Sequence, residues 1–499
     1  MTATGASRDR DVLPRWRFLE AAASLGDLEP LRAVQEPGPA QDDLSEQLEA
    51  FHDRPGLYTA GDLLSAARAA GLPRREADPA AALVLGWSPL PGEALAQLAR
   101  LQLEQVDEEP PAGWRAPANS PQESVSQLRR HLRLNPRNPL RWVDLSLAHA
   151  TLGHHEQATR SMLAALTLAP AHRHVLRSAA RLFLLRDDFE RAYHVLSSGD
   201  VLGDPWLAAS LVSVSQLMER PIQRIRDYRD LLTRSGLAPR HLGELASELA
   251  TVELRAGNDR RARKLLLQAM ADPTENTLAQ VEWAREQGVS LPPTPGRLPP
   301  HPFEAGALVA FYGDDYDRAL DLGKDWQADQ PFDPRPATFV SYVASLGLED
   351  YKTAVRACEI GLLANPTDSM LRNNYVFALA ASGDAQGAEA ELRKQPTSSD
   401  IPREAAVFEA TRGLVAYRAG DPAEGRSHYS KAVALLSRLD DPEIAALVAL
   451  LWVGEERRVG GGSLYLLEAQ SMAERLSARA PSRTVRVVKE RVLGAPTVT

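Results

Sequence analysis

The sequence has little cysteine, lysine or aromatic residue and no long apolar run, and each shortage excludes something. One cysteine, Cys358, in 499 residues rules out an internal disulfide and a zinc site built on cysteine pairs. The longest apolar stretch, 445–453, is about half of the ~20 residues that a membrane-spanning helix needs. The first dozen residues carry two Arg and two Asp and no apolar run, so no secretory leader is expected, and a soluble, cytoplasmic protein is. Aromatics make up 6% of the chain, so a core must rest on Ala and Leu instead of large rings. Six of the 57 basic residues are lysine, a bias that fits a GC-rich bacterial source. P-loop, GxSxG, HExxH and CxxC motifs are all missing, and no nucleophile, base or ligand set recommends an enzyme, a metal site or a cofactor. A formal net charge of −9 disfavours a dedicated nucleic-acid binder.

What is present is a repeat. From Pro139 the chain places Trp142, Leu145, Ser146, His149, Gly153, Ala158, Met162, Ala165 and Pro170 in order. Ala158 returns 34 residues later as Ala192, and Ala319, Ala354 and Ala388 are spaced 35 and 34 apart. Pro331 and Pro366 each follow their alanine by twelve residues. Gly257, Ala262, Leu266 and Ala269 mark another copy, and Gly413, Gly420, Gly425, Tyr429 and Ala432 a further one, with a degenerate unit around Trp206. The spacing has a physical reading: two antiparallel helices cross closely, a small residue is needed where the backbones approach, and larger apolar groups fill in beside the crossing. Glycine ends the first helix in the left-handed conformation, and proline stops the second. A single hairpin cannot bury its own apolar face, so hairpins stack.

This pattern resembles the tetratricopeptide repeat, with Ser146 where that family has Gly and His149 where it has Tyr. The resemblance implies an all-α, superhelical solenoid with a divergent helical N-terminal region. The expected organisation is a disordered 1–12, short helices without clear repeat over 13–118, a first array over 119–288, a proline-rich linker over 289–302, a second array over 303–440 and a helical cap over 441–499. Six prolines fall within 291–302, and the 57-residue step from Ala262 to Ala319 is not a multiple of 34, which places the boundary there. Within the cap, Thr484, Val485, Val487 and Val488 make 482–493 a poor helix by local preference.

In the resembled family the first helix of each hairpin lines a concave groove. Transferred to this chain, the second array offers Leu308 and Phe311, Phe339 and Val343, Asn373 and Phe377, and Leu414 and Tyr417, a largely apolar trough suited to an amphipathic helix or extended protein segment. The first array offers His174, Arg177 and Arg181, suited to an acidic partner. The Lys and Asn clamp with which some relatives hold chaperone tails is missing, since Val143, Leu147, Phe339 and Val343 stand at those positions. The functional expectation is a non-enzymatic scaffold or adaptor with an unidentified protein or peptide partner, no membrane and no cofactor. Two alternatives stand beside it: a sensor or regulatory subunit of a multi-component bacterial system, with 13–118 as its contact module, and a nucleic-acid adaptor using the Arg-rich first array. Charge is uneven, with 11 Arg against 7 acids over 121–200 and 3 basic against 10 acidic residues over 301–350, so the arrays could attract each other or steer different partners. His149, His154, His155, His172 and His174 form a loose group without a cysteine or close carboxylate and read as surface polar residues. Asp314, Asp315 and Asp317 recur 35 residues on as Glu349-Asp350, which favours turn chemistry over calcium binding.

Overall fold

The computed structural model describes residue 16 and residues 40–69, 75–88, 92–103, 121–233, 236–293, 302–395, 399, 401–460, 464–480 and 482–494. Residues 1–12, the stretches 13–15, 17–39 and 104–118 of the divergent N-terminal region, and 294–301 of the proline-rich stretch, all subjects of expectations above, lie outside the described residues. Among the described residues every regular element is helical. Helices α1 (Ala40–Asp53), α2 (Leu57–Ala69), α3 (Asp78–Gly86) and α4 (Glu93–Leu103) pack around their own small core of Phe51, Leu63, Leu64 and Val84. Helix α5 (Pro121–Leu134) then opens the repeats.

The hairpins follow in chain order. They are α6 (Pro139–Thr151) with α7 (His155–Leu168), α8 (Arg173–Leu185) with α9 (Phe189–Ser197), α10 (Pro205–Leu217) with the short α11 (Ile225–Leu231), and α12 (Pro239–Arg255) with α13 (Asp259–Ala269). After the single α14 (Glu275–Glu286) come α15 (Phe303–Tyr312) with α16 (Tyr316–Asp329), α17 (Pro334–Tyr342) with α18 (Tyr351–Ala364), α19 (Ser369–Ser382) with α20 (Ala385–Leu392), and α21 (Pro402–Ala419) with α22 (Pro422–Arg438). A last hairpin, α23 (Pro442–Val459) with α24 (Leu464–Arg479), precedes α25 (Arg483–Gly494). The architecture is an all-α, tetratricopeptide-like solenoid.

Local chemistry explains where the helices begin. A left-handed residue followed by a side-chain cap recurs at the turns: Asp187 then Asp188, Asp314 then Asp315, Glu349 then Asp350, Gly383 then Asp384, Gly420 then Asp421, and Asp440 then Asp441. The acidic turns are therefore helix N-caps. Asp315 accepts from the Arg318 amide at 3.1 Å and Asp350 from the Thr353 amide at 3.0 Å, satisfying amides the helix cannot bond itself. The small residues of the repeat are enclosed between the helices. Ala158, Ala192, Ala262, Ala319, Ala354 and Ala388 are fully buried, and the Ser146 hydroxyl donates to the Ala158 carbonyl at 2.7 Å across the first hairpin.

The first helix of most hairpins is buried on nearly every side. Nine consecutive residues of α6, Val143 to Thr151, and eleven of α8, His174 to Leu184, are buried. Stacking alone does not do this; the superhelix also meets itself. Gly153, at φ +70, backs so closely onto the end of α18 that a Cβ there would lie 2.4 Å from the Leu363 carbonyl oxygen. Trp16 is fully buried in the cluster that holds Val143, Leu147 and Phe183, with its ring edge-on to Phe332 at 5.3 Å.

Candidate functional site

The inner faces of the hairpins are where a groove was expected, and the structure fills them with the chain's own groups. In the first array Arg177 donates to Ser210 at 3.2 Å and pairs with Glu244, which also accepts from Asn276 at 3.0 Å. These four residues are spaced 33, 34 and 32 apart, so one polar group from each successive unit joins a ladder along the inner face. Beside it, Gln280 donates to Glu248 at 2.9 Å, and Trp206 donates to His241 at 3.1 Å while lying under the Arg177 guanidinium. Burial first, and the neighbouring Glu244 second, push the Glu248 carboxyl well above the usual carboxylate range. Arg181 pairs with Asp333 at the start of α17, and Arg335 bridges Asp333 at 3.1 Å and Glu304 at 2.8 Å.

This corrects the expectation for the first array. His174, Arg177 and Arg181 are only 2%, 3% and 4% exposed. Arg177 and Arg181 meet internal carboxylates in place of an acidic partner, because the superhelix is wound tightly enough for inner-face residues two units apart, and even in different arrays, to touch. The repeat period of the small residues is shared by these polar ones, so Arg177, Ser210, Glu244 and Asn276 carry a ladder signal in the sequence itself.

The second array differs from expectation in a related way. Of the eight residues assigned to an open trough, Phe311, Phe339, Val343, Asn373, Leu414 and Tyr417 are buried, and only Leu308 and Phe377 are half-buried. Phe311, Phe339 and Val343 share one core, on which Leu308 and Val487 pack. Leu414 and Tyr417 share another with Val485 and Val488, on which Phe377 packs. Asn373 accepts from Gln395 at 3.4 Å. The valines belong to α25, which joins both clusters: Val485 and Val488 lie in the second and Val487 packs on the first.

Helix α25 is held by more than its valines. Arg491 donates to the Leu346 carbonyl at 3.3 Å and the Gly347 carbonyl at 2.7 Å, and pairs with Glu349 at 3.2 Å. Those carbonyls belong to a single π-helical turn, Val343–Gly347, that continues α17. Arg483 pairs with Asp314 at 2.7 Å and lies over the Tyr316 ring, whose hydroxyl is 3.1 Å from that of Thr484. A basic helix with a β-branched apolar stripe thus lies against an acidic rim, which is where part of the acidic excess of 301–350 is spent.

No family model and no curated protein matches the sequence. Among solved structures, yeast Tom70 is similar over 75% of this chain and 96% of its own, at 12% identity and a TM-score of 0.29. A human IFIT1 dimer with PPP-AAAA is similar over 92% of this chain and 96% of its own, at 13% identity and a TM-score of 0.33. Likenesses at this level leave the binding chemistry of the chain to its own residues.

Proposed function

We propose that this chain is a non-enzymatic scaffold that engages a protein partner through the trough of its second array, and that the segment it takes is a basic amphipathic helix. The observation that carries the reading is α25 itself. Its Val485 and Val488 share one apolar cluster with Leu414 and Tyr417, its Val487 packs on the cluster of Phe311, Phe339 and Val343, and its Arg483 and Arg491 pair with Asp314 and Glu349. Its own sequence, rich in β-branched residues, gives it little reason to be helical alone, so the trough supplies the stability. A partner helix of the same pattern would find the same floor, carbonyls and carboxylates. The internal pairing of Arg177 and Arg181 speaks against their use on nucleic acid, which would need accessible guanidinium groups.

The test is a trans-complementation. Val485→Asp with Val488→Asp in the full chain should undock α25. A fluorescent peptide spanning 482–494 should then bind that variant at least tenfold more tightly than it binds the wild type. A peptide with alanine at the positions of Arg483 and Arg491 should bind poorly. A variant that retains its helical circular dichroism yet shows no saturable binding of the first peptide overturns the reading.

A further inference from the structure

A cavity of about 420 Å3 lies between α5, α6 and α7, and none of the trough residues lines it. Two outer helices, α5 and α7, flank the inner α6, and the floor between them is apolar: Leu132 and Leu145 are buried and Trp142 half-buried. The Trp142 indole N–H is already used, donating to the Pro136 carbonyl at 2.9 Å, so the ring is fixed and presents apolar surface. The rim is cationic. Arg129 and Arg133 stand one helical turn apart on α5, where residues at that spacing are side-chain neighbours and two guanidinium groups can converge on one dianion. Arg160 faces them from α7. Among the described residues, Arg129 and Arg133 have no ion-pair partner, and Arg160 meets only the exposed Glu156 at 3.2 Å. Among the described residues, no carboxylate lines the cavity. The remaining ionisable lining group, His149, brings no competing charge: burial first, then Arg129 and His154, hold its imidazole at about 4, so it is neutral at pH 7.

We propose that this cavity is a binding site for a small phosphate monoester with a flat apolar body. The phosphate sits between Arg129 and Arg133 with Arg160 opposite, and the body lies on Trp142, Leu132 and Leu145. A dianion answers the charge of the rim, which an apolar guest would leave unmatched. The floor demands more than inorganic phosphate. The volume falls within the range of small-ligand sites, ~300–1,000 Å3. The site is independent of the trough and of the reading given for it.

The experiment is calorimetric titration of the full-length protein with phenyl phosphate, adenosine 5′-monophosphate, phenol and inorganic phosphate. The expected result is saturable 1:1 binding of at least one ester, at least tenfold tighter than phenol or inorganic phosphate. That binding should weaken at least tenfold in Arg129→Gln with Arg133→Gln. Both positions are exposed, so the variant should retain its unfolding midpoint. Preference for phenyl phosphate assigns the site to aryl esters, and preference for the nucleotide assigns it to nucleotides. No saturable binding of either ester up to millimolar concentration, binding indifferent to the two substitutions, or inorganic phosphate binding as well as the esters overturns the proposal.

Discussion

Arg181 and Asp333, 152 residues apart in the chain, meet as a buried ion pair that ties the inner face of α8 to the first turn of α17. The pair is not symmetric. Asp333 also receives Arg335, through both its side chain and its backbone amide, whereas among the described residues Arg181 has no second carboxylate at hydrogen-bonding distance. Removing the carboxylate charge leaves two guanidinium groups without their shared anion, one of them fully enclosed; removing Arg181 leaves Asp333 still paired with Arg335. Asp333→Asn, which retains a capping side chain, should therefore lower stability by about 3–5 kcal/mol, and Arg181→Met by clearly less. Urea denaturation of the two variants checks the order, and equal losses would show that the pair closes the superhelix less than its geometry implies.

The same carboxylate sets an acid limit. Burial on its own would raise the Asp333 pKa, but Arg335 and then Arg181 outweigh it and hold the group at about 2, against an ordinary value of 3.8. A folded pKa below the unfolded one contributes stability that is fully present above pH 3.8 and is lost as pH falls from there toward 2. The contribution is on the order of 2 kcal/mol. The stability of Asp333→Asn should depend less steeply on pH than that of the wild type in this window, measured as urea midpoints between pH 5 and pH 2. Parallel curves would mean that Asp333 titrates normally in the folded chain.

Much of the architecture was legible because close backbone approach leaves a chemical trace. Ala158, Ala192, Ala319, Ala354 and Ala388 are fully buried, and the helical hairpins lie where their spacing put them. The acidic turns were legible as turn chemistry for the same local reason, since Asp315 and Asp350 cap the helices that follow. The site was less legible. A concave face can be assigned to residues such as Phe339 and Tyr417 from their place in the repeat, but whether it stays open depends on contacts made far along the chain. Val485 meets its neighbours only after α25 has turned back, and Thr484 reaches Tyr316 across 168 residues. Local preference argued against that helix, and tertiary burial of its valines overrode it. Arg181 looked available for the same reason: nothing near it in sequence foretells Asp333.

Tyr417 distinguishes a packing residue from a groove residue. Its hydroxyl donates to Glu456 at 2.5 Å and accepts from the Trp452 indole at 3.0 Å, while Arg426 holds the same carboxylate at 2.6 and 3.0 Å. Its ring lies where a Cβ on Gly425 would come within 2.3 Å, so α21 and α22 approach through this pair. Tyr417→Phe keeps the ring and removes the hydroxyl. Glu456 remains paired with Arg426, and the Trp452 N–H retains its longer 3.3 Å contact with Glu456, so the loss should be partial, about 1–2 kcal/mol. Because the hydroxyl bonds Glu456 and Trp452 of α23 and the ring is kept, the same substitution placed beside Val485→Asp and Val488→Asp should leave the affinity for the 482–494 peptide within about threefold, a change of roughly 0.7 kcal/mol. Loss of peptide binding at unchanged urea midpoint would reverse this assignment and put Tyr417 on the floor of the trough, in contact with whatever occupies it.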